Sequence, residues 1–198
     1  MLKIPKITTQ RTVLSLLQHY DHQVLIDYHK RNRLHLSPWE PERDNDYLEA
    51  SHVSKRLQVS NDLFFAGGAV NFVARGNIEQ DGLVSADING QILGVCNFTN
   101  IVRGPLQACY LGYSIDKMLE GQGIMREILE AGIAYIFDEF KLYRIMANYI
   151  PNNERSGQLL RSLGFEEEGL AKSYLKIAGS WQDHVLTSKL NPKNEVID

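Results

Sequence analysis

Between residues 107 and 140 an apolar run, a turn holding two glycines and a long two-faced segment follow one another. No other stretch of the chain limits its fold so tightly. Residues 107–115 carry Ala108, Cys109, Tyr110, Leu111, Tyr113 and Ile115, which reads as a largely buried strand. Residues 124–140 then place Met125, Ile128, Leu129, Ile133, Ile136, Phe137 and Phe140 at helical spacing, with Arg126, Glu127, Glu130, Asp138 and Glu139 on the opposite face. The connection is Gly121-Gln122-Gly123. A helix N-terminus offers free N–H groups and the positive end of its dipole, and glycines let an anion approach without a Cβ in the way. The segment is therefore able to hold a pyrophosphate. Alone it is a weak sign, because it lacks both the third glycine of a dinucleotide fingerprint and the Gly-Lys-Ser/Thr of a P-loop.

Around this unit the sequence predicts a strand at 11–17 and a helix from Asp21 to about Leu34, with Val24, Leu25 and Tyr28 on one face. Two prolines make Ser37-Pro38-Trp39-Glu40-Pro41 a loop. A second helix opens at Asp44 and repeats Tyr47, Ala50, Val53 and Leu57, and Gly67-Gly68 break the chain before a strand at 70–74. Residues 75–87 show no legible pattern beyond an acidic loop bounded by Gly76 and Gly82, Asn89-Gly90 signals a hairpin, and a strand follows at 91–101. Beyond the central unit come a strand at 143–150, a helix from 151–153 to Leu163-Gly164, and strands at 174–177 and 184–189 joined at Gly179. Strands dominate with helices inserted between them, which predicts an α/β (α+β) chain with one mixed, mostly antiparallel sheet flanked by helices. We read residues 1–198 as one domain, with 192–198 as a flexible tail.

Composition narrows the classes of function. The 198 residues are 43% hydrophobic and 23% charged, enough for a core and too apolar for a disordered chain. A net charge of −3 with pI near 6.1 gives no bulk electrostatic case for direct nucleic-acid or membrane-surface binding. With no apolar run of spanning length and no signal peptide, the reading is cytoplasmic. Cys96 and Cys109 lie in apolar strand segments and read as reduced, buried residues. His19-x-x-His22, near Asp21 and His29, has no second spaced pair or cysteine partner, so we expect no metal. His184, beside Asp183, is expected to make a structural hydrogen bond, and no elbow motif supports Ser-His-Asp chemistry.

Asn153-Glu154-Arg155-Ser156 stands at the start of a predicted helix that ends in Leu163-Gly164-Phe165. An Asn and a Ser three apart serve there as N-cap and first-turn polar residue. Together with Gly121-Gln122-Gly123-Ile124-Met125 after a buried strand, however, the order of motifs resembles the GNAT family of N-acetyltransferases. Thr9-Gln10-Arg11-Thr12-Val13-Leu14 is similar to that family's opening Thr-Glu-Arg-Leu strand. Ser37-Pro38-Trp39-Glu40-Pro41, Asn97-Phe98-Thr99-Asn100, the segments 108–115 and 144–149, and Trp181-x-Asp183-His184-Val185-Leu186 resemble its ribosomal-protein-alanine (Rim-type) branch. The likeness runs from about Thr8 to Leu190.

The resemblance implies a sheet that splays open between strands 107–115 and 143–150, with acetyl-CoA in the cleft. Its pantetheine would pair with the strand edge at Ser114 and Ile115, as in β-strand addition. The pyrophosphate would rest on the N–H groups of Gly121, Gln122, Gly123, Ile124 and Met125, and Asn153 would contact the cofactor arm. The family's Gln/Arg three residues before the first glycine is Met118 here. The implied reaction is direct attack of an amine on the thioester. Ser156 matches a serine that acts as proton donor to the leaving thiolate; many relatives have a tyrosine where this chain has Leu160. Where some relatives carry a glutamate base, Gln107 stands.

The missing carboxylate bears on the acceptor. An α-amine titrates at about 7.7–8.0 against about 10.4 for lysine, so about a quarter of α-amines are neutral near pH 7.4. Deprotonating one costs roughly 3–4 kcal/mol less, so water or a weak relay through Glu40 or Tyr110 suffices. Trp39, Glu40 and Tyr110 are the expected acceptor-binding residues: Glu40 pairs with the ammonium and Trp39 walls the pocket. The acidic residues Glu40, Glu42, Asp44, Asp46 and Glu166-Glu167-Glu168 would draw in a basic protein.

These observations lead to an acetyl-CoA-dependent N-acetyltransferase whose acceptor is the N-terminal alanine amine of a ribosomal protein, with ribosome association a corollary. Two other readings stay open on the sequence: a polyamine or aminoglycoside acetyltransferase, and a non-catalytic acetyl-CoA-binding protein that docks on the ribosome. The sequence does not define an oligomeric state.

Overall fold

Alternation of buried and exposed positions builds the strands, and three- and four-residue spacing builds the helices. The computed structural model describes residues 3–77 and 90–193. Strands β1 (Lys6–Thr8), β2 (Thr12–Leu16), β3 (Val70–Gly76), β4 (Gly94–Val102), β5 (Ala108–Ile115), β6 (Arg144–Tyr149), β7 (Glu166–Ile177) and β8 (Ser180–Leu190) form one eight-stranded sheet in the order β1-β2-β3-β4-β5-β6-β8-β7. Every neighbouring pair is antiparallel except β5 and β6. That parallel ladder runs only through Ala108↔Arg144, Cys109↔Ile145 and Tyr110↔Met146, after which the strands part. The sheet is thus open along the rest of β5, as the family resemblance implied.

Helices α1 (His22–Leu36), α2 (Ala50–Phe65), α3 (Ile124–Tyr135) and α4 (Glu154–Ser162) cover the two faces. Successive strand residues point to opposite faces, and β3 shows the division. Phe72 joins the larger core with Phe98, Ile128, Leu129 and Leu160, while Val73 joins Tyr28, Val53, Leu57 and Ile92 beneath α1 and α2. Phe72, Phe98 and Ile128 are 0% exposed, each worth about 1.5–3 kcal/mol of burial. On α4, a Cβ added to Gly157 would lie 2.8 Å from the Tyr149 ring. Only glycine lets α4 settle this close to β6.

Several boundaries differ from those the sequence suggested. Residues 6–8 pair as an edge strand that was not anticipated. Within the 37–41 loop, Ser37–Trp39 forms one 3-10 turn. Helix α2 begins at Ala50 rather than Asp44, because Tyr47 is taken up elsewhere. Its ring lies between the guanidiniums of Arg43 and Arg56, 4.7 and 3.9 Å from its centroid, and Arg56 Nη2 donates to the Tyr47 carbonyl at 2.7 Å. Strand β7 starts at Glu166, eight residues ahead of Tyr174, and α3 passes into a π-helical turn over Ile136–Phe140. The hairpin at Asn89, most of the 75–87 loop and the end of the tail fall outside the described residues.

Both cysteines are free and buried, and burial pushes the Cys109 thiol up to about 12 and Cys96 in the same direction. Neither forms a thiolate readily. No helix among the described residues is long and apolar enough to cross a membrane.

Candidate active site

The parting of β5 from β6 opens a cleft of about 1290 Å³. One wall is the edge of β5 from Leu111 to Ile115, and the other is the end of β6, Asn148 to Ile150, with the start of α4. Of the residues singled out in the sequence, the cleft brings together Trp39, Glu40, Ser114, Ile115, Gly121, Gly123, Met125, Asn153 and Ser156.

The glycine turn closes one end. Gly121 and Gly123 have φ of 72° and 73°, a conformation that strains any other residue, and Gly123 is the N-cap of α3. Gln122 does not line the cleft; its Nε2 donates to the Met118 carbonyl at 2.8 Å, so only its backbone is offered to a ligand. Ile124 is likewise sunk in the core, 5% exposed, and does not line the cleft. Arg11 braces the turn from β2's approach. Its Nη1 donates to the Gln122 carbonyl at 2.8 Å, and its Nε and backbone N–H each donate to Glu127 at 2.7 Å. Burial raises the Glu127 carboxyl, but its bonds from Thr9 and Arg11 outweigh this and hold it below the usual range.

A second brace ties α1 to the segment between β5 and the turn. Tyr28 Oη lies 2.8 Å from Ser114 Oγ. Asn32, 1% exposed, donates to Asp116 and accepts from the Lys117 N–H at 3.0 Å. Arg31 Nε donates to Asp116 at 2.7 Å. Burial raises the Asp116 carboxyl, and its bonds from Arg31, the Met118 N–H and Asn32 overcome that and keep it ionised. Arg155 meets Glu120 at 2.6 Å, linking the start of α4 to the glycine turn.

Two hydroxyl-bearing residues that line the cleft and meet each other belong to different elements. Ser156 Oγ, in the first turn of α4, is 2.7 Å from Tyr113 Oη on β5. Asn153 caps α4, its Oδ1 accepting from the Ser156 N–H at 3.2 Å, and it lines the cleft as well. The capping role and the ligand-facing position coexist.

The opposite end is made of loops. The Glu40 carbonyl accepts from the Ala178 N–H at 3.0 Å, which pins the 37–41 loop to the β7–β8 turn. Burial pushes the Glu40 carboxyl up, against a lowering pull from Arg43. His29 nearby is pushed down to about 4 by burial and by Arg43 and Arg56, so it is neutral at physiological pH. Tyr110 does not line the cleft, and the Tyr174 hydroxyl accepts from Asn148 Nδ2 at 3.3 Å. His184, 4% exposed, lines the cleft with its ring 5.5 Å from that of Tyr174 and its Nδ1 3.1 Å from the Gln182 carbonyl. Asn97, Asn148 and His184 are cleft residues that sequence reasoning did not assign. Their only sequence signal was the likeness of the motifs that contain them.

The acidic run 166–168 is largely engaged within the protein. Glu167 accepts from Tyr149 and Arg161, and Glu168 from Arg144 and Ser188. Among the described residues no group of three or more His, Cys, Asp or Glu is placed to hold a metal. His19 and His22 meet through a carbonyl, His22 Nδ1 lying 3.1 Å from the His19 oxygen.

A strand parted from its parallel neighbour, with a glycine turn leading into a helix beside the gap, is the arrangement expected of an acetyltransferase, and comparison with known proteins agrees. The chain belongs to the GNAT acetyltransferase family, whose domain model matches residues 33–166. It is 46% identical over 191 residues to the [Ribosomal protein uS5]-alanine N-acetyltransferase of Escherichia coli (strain K12), covering 96% of this chain and 93% of that protein. Among solved structures, the ribosomal-protein-S5-alanine acetyltransferase from Vibrio fischeri superposes with a TM-score of 0.87 at 36% identity, covering 96% of this chain and 99% of the other. RimJ from Mycobacterium smegmatis, solved in complex with CoA-disulfide, gives a TM-score of 0.79 at 26% identity and covers 90% and 81%.

Proposed function

We propose that this acetyltransferase moves the acetyl group of acetyl-CoA onto the N-terminal alanine α-amine of ribosomal protein uS5. The observation that carries the reading is the 46% identity to a uS5-alanine N-acetyltransferase along 96% of the chain.

The cleft suits the cosubstrate. Two left-handed glycines and the amides opening α3 form an anion cradle that a Cβ would strain. Alongside it, β5 from Leu111 to Ile115 has a main-chain edge not taken by β6. In this reading the N–H groups of 121–125 hold the diphosphate, the β5 edge around Ser114 and Ile115 pairs with the pantetheine amides, and Asn153 contacts the arm. Acetyl-CoA supplies an acyl group activated as a thioester. At the far end Trp39 walls the acceptor pocket and Glu40 pairs with the incoming ammonium; burial makes that carboxylate more basic than a solvated one. Ser156 donates its proton to the departing thiolate. An α-amine needs little further help to lose its proton, since it titrates about 2–3 pH units below lysine.

The test is release of free thiol from acetyl-CoA with a peptide bearing the uS5 N-terminus and a free alanine amine, beside the same peptide blocked at its N-terminus and containing internal lysines. Turnover on the free terminus alone supports the reading. Equal turnover on both peptides contradicts an α-amine acceptor, and turnover only on polyamines or aminoglycosides contradicts a protein acceptor.

A further inference from the structure

The reaction assigned to Ser156 raises a question of direction, because a serine hydroxyl has one hydrogen and two lone pairs. A serine inside a helix commonly bonds that hydrogen back to a carbonyl three or four residues earlier. Here it does not: among the described residues, the partner of Ser156 Oγ is the Tyr113 phenol at 2.7 Å. The same phenol also reaches the Ser156 carbonyl as a donor at 3.4 Å, a much longer contact than the 2.7 Å one to Oγ. Which oxygen donates across the short contact decides whether Ser156 keeps its own hydrogen for a ligand.

We propose that Tyr113 is a positioning residue: its phenol donates to Ser156 Oγ and so leaves the serine hydrogen free to point at the sulfur of the leaving thiol. The inference rests on the reading of Ser156 given above and extends it to a residue on another element. Two considerations favour this direction of donation, and the place of Tyr113 in the sheet fixes the phenol. A phenol is much the stronger acid of the two hydroxyls, so it is the better donor in the pair. Burial pushes the Tyr113 hydroxyl up to about 12, more than the bond to Ser156 pulls it down, so it stays protonated throughout the working range. Tyr113 is also fixed in the β4–β5 ladder opposite Cys96, on a wall of the cleft, so the phenol is held by the sheet rather than by a loop.

The proton balance closes without another reactant. Ser156 gives its hydroxyl proton to sulfur as the C–S bond breaks with its electron pair on sulfur. The phenol's hydrogen bond stabilises the oxygen left behind. Ser156 then regains a proton from solvent, which receives the one that the amine sheds as the C–N bond forms. Tyr113 keeps its own proton throughout.

The experiment is a double-mutant cycle on the full chain with Tyr113→Phe, Ser156→Ala and the pair, reading kcat and the acetyl-CoA KM separately. Tyr113→Phe keeps the ring, and a thermal melt checks its fold. The expected result is a kcat lowered about tenfold with the acetyl-CoA KM within about twofold, and a double variant no slower than Ser156→Ala alone. Wild-type kcat in Tyr113→Phe beside an impaired Ser156→Ala overturns the role of Tyr113 alone, as do losses that multiply in the double variant. Full activity in Ser156→Ala overturns the reading of Ser156 and the role of Tyr113 with it.

Discussion

At the glycine-turn end the cleft is walled by main chain: Gly121, Gly123, the first amides of α3 and the unpaired edge of β5. Several side chains there act as braces, Gln122 on Met118, Arg11 on the Gln122 carbonyl, Asn32 with Arg31 on Asp116, and Arg155 on Glu120. At the loop end the wall is made of side chains, Trp39, Glu40 and His184, brought from α1's exit and from β8. A main-chain site depends on backbone conformation and is indifferent to which side chain hangs from it. A side-chain site depends on identity, and it changes readily because loops tolerate change. One fold can therefore keep its donor site while its acceptor varies.

The largest effect should come from breaking the backbone. Gly123→Val puts a branched residue at φ 73° and, with strain of about 1–3 kcal/mol in the turn, should raise the acetyl-CoA KM about thirtyfold while peptide binding is unchanged. An unaltered KM would mean the turn is not the diphosphate cradle. Next in size, Glu40→Gln removes a charged partner at the loop end and should weaken peptide binding about tenfold, leaving the acetyl-CoA KM as it was. The pH dependence sharpens this point. Burial raises the Glu40 pKa, so its carboxylate is lost at a higher pH than a solvated glutamate's as the solution is acidified. Below neutrality the peptide amine stays an ammonium, so the peptide Kd measured by calorimetry should rise as pH falls, and this rise should vanish in Glu40→Gln. The smallest effect belongs to Gln122→Ala. Among the described residues its exposed side chain bonds only Met118, and steady-state kinetics should show an acetyl-CoA KM within about twofold of wild type. A large loss would mean the glycine-turn end uses side chains after all.

The same contrast explains how far the sequence could be read. The β5–turn–α3 unit and the Asn153–Ser156 pair sit in continuous stretches whose glycines and periodicity carry local conformational meaning, and the structure gathers them around one cleft. Helix α2 was read six residues too early, because Tyr47 fits a helical repeat and is instead clasped by Arg43 and Arg56. The start of β7 was hidden by Glu166-Glu167-Glu168, a charge run with no strand signature. Its charges find Arg161, Arg144 and Tyr149 only once the sheet is assembled. Asn148, His184 and the Tyr113–Ser156 contact join residues from distant elements, which spacing along the chain does not express. Tyr110, expected as an acceptor-side relay, is not among the residues lining the cleft.

The most direct measurement is to incubate the enzyme with acetyl-CoA and intact, unacetylated ribosomal protein uS5 and to locate the product by tandem mass spectrometry. The account predicts a single acetyl group on the N-terminal alanine, and none on internal lysines. Acetyl groups on lysine side chains, or an unmodified N-terminus after the enzyme has turned over on other amines, would contradict it.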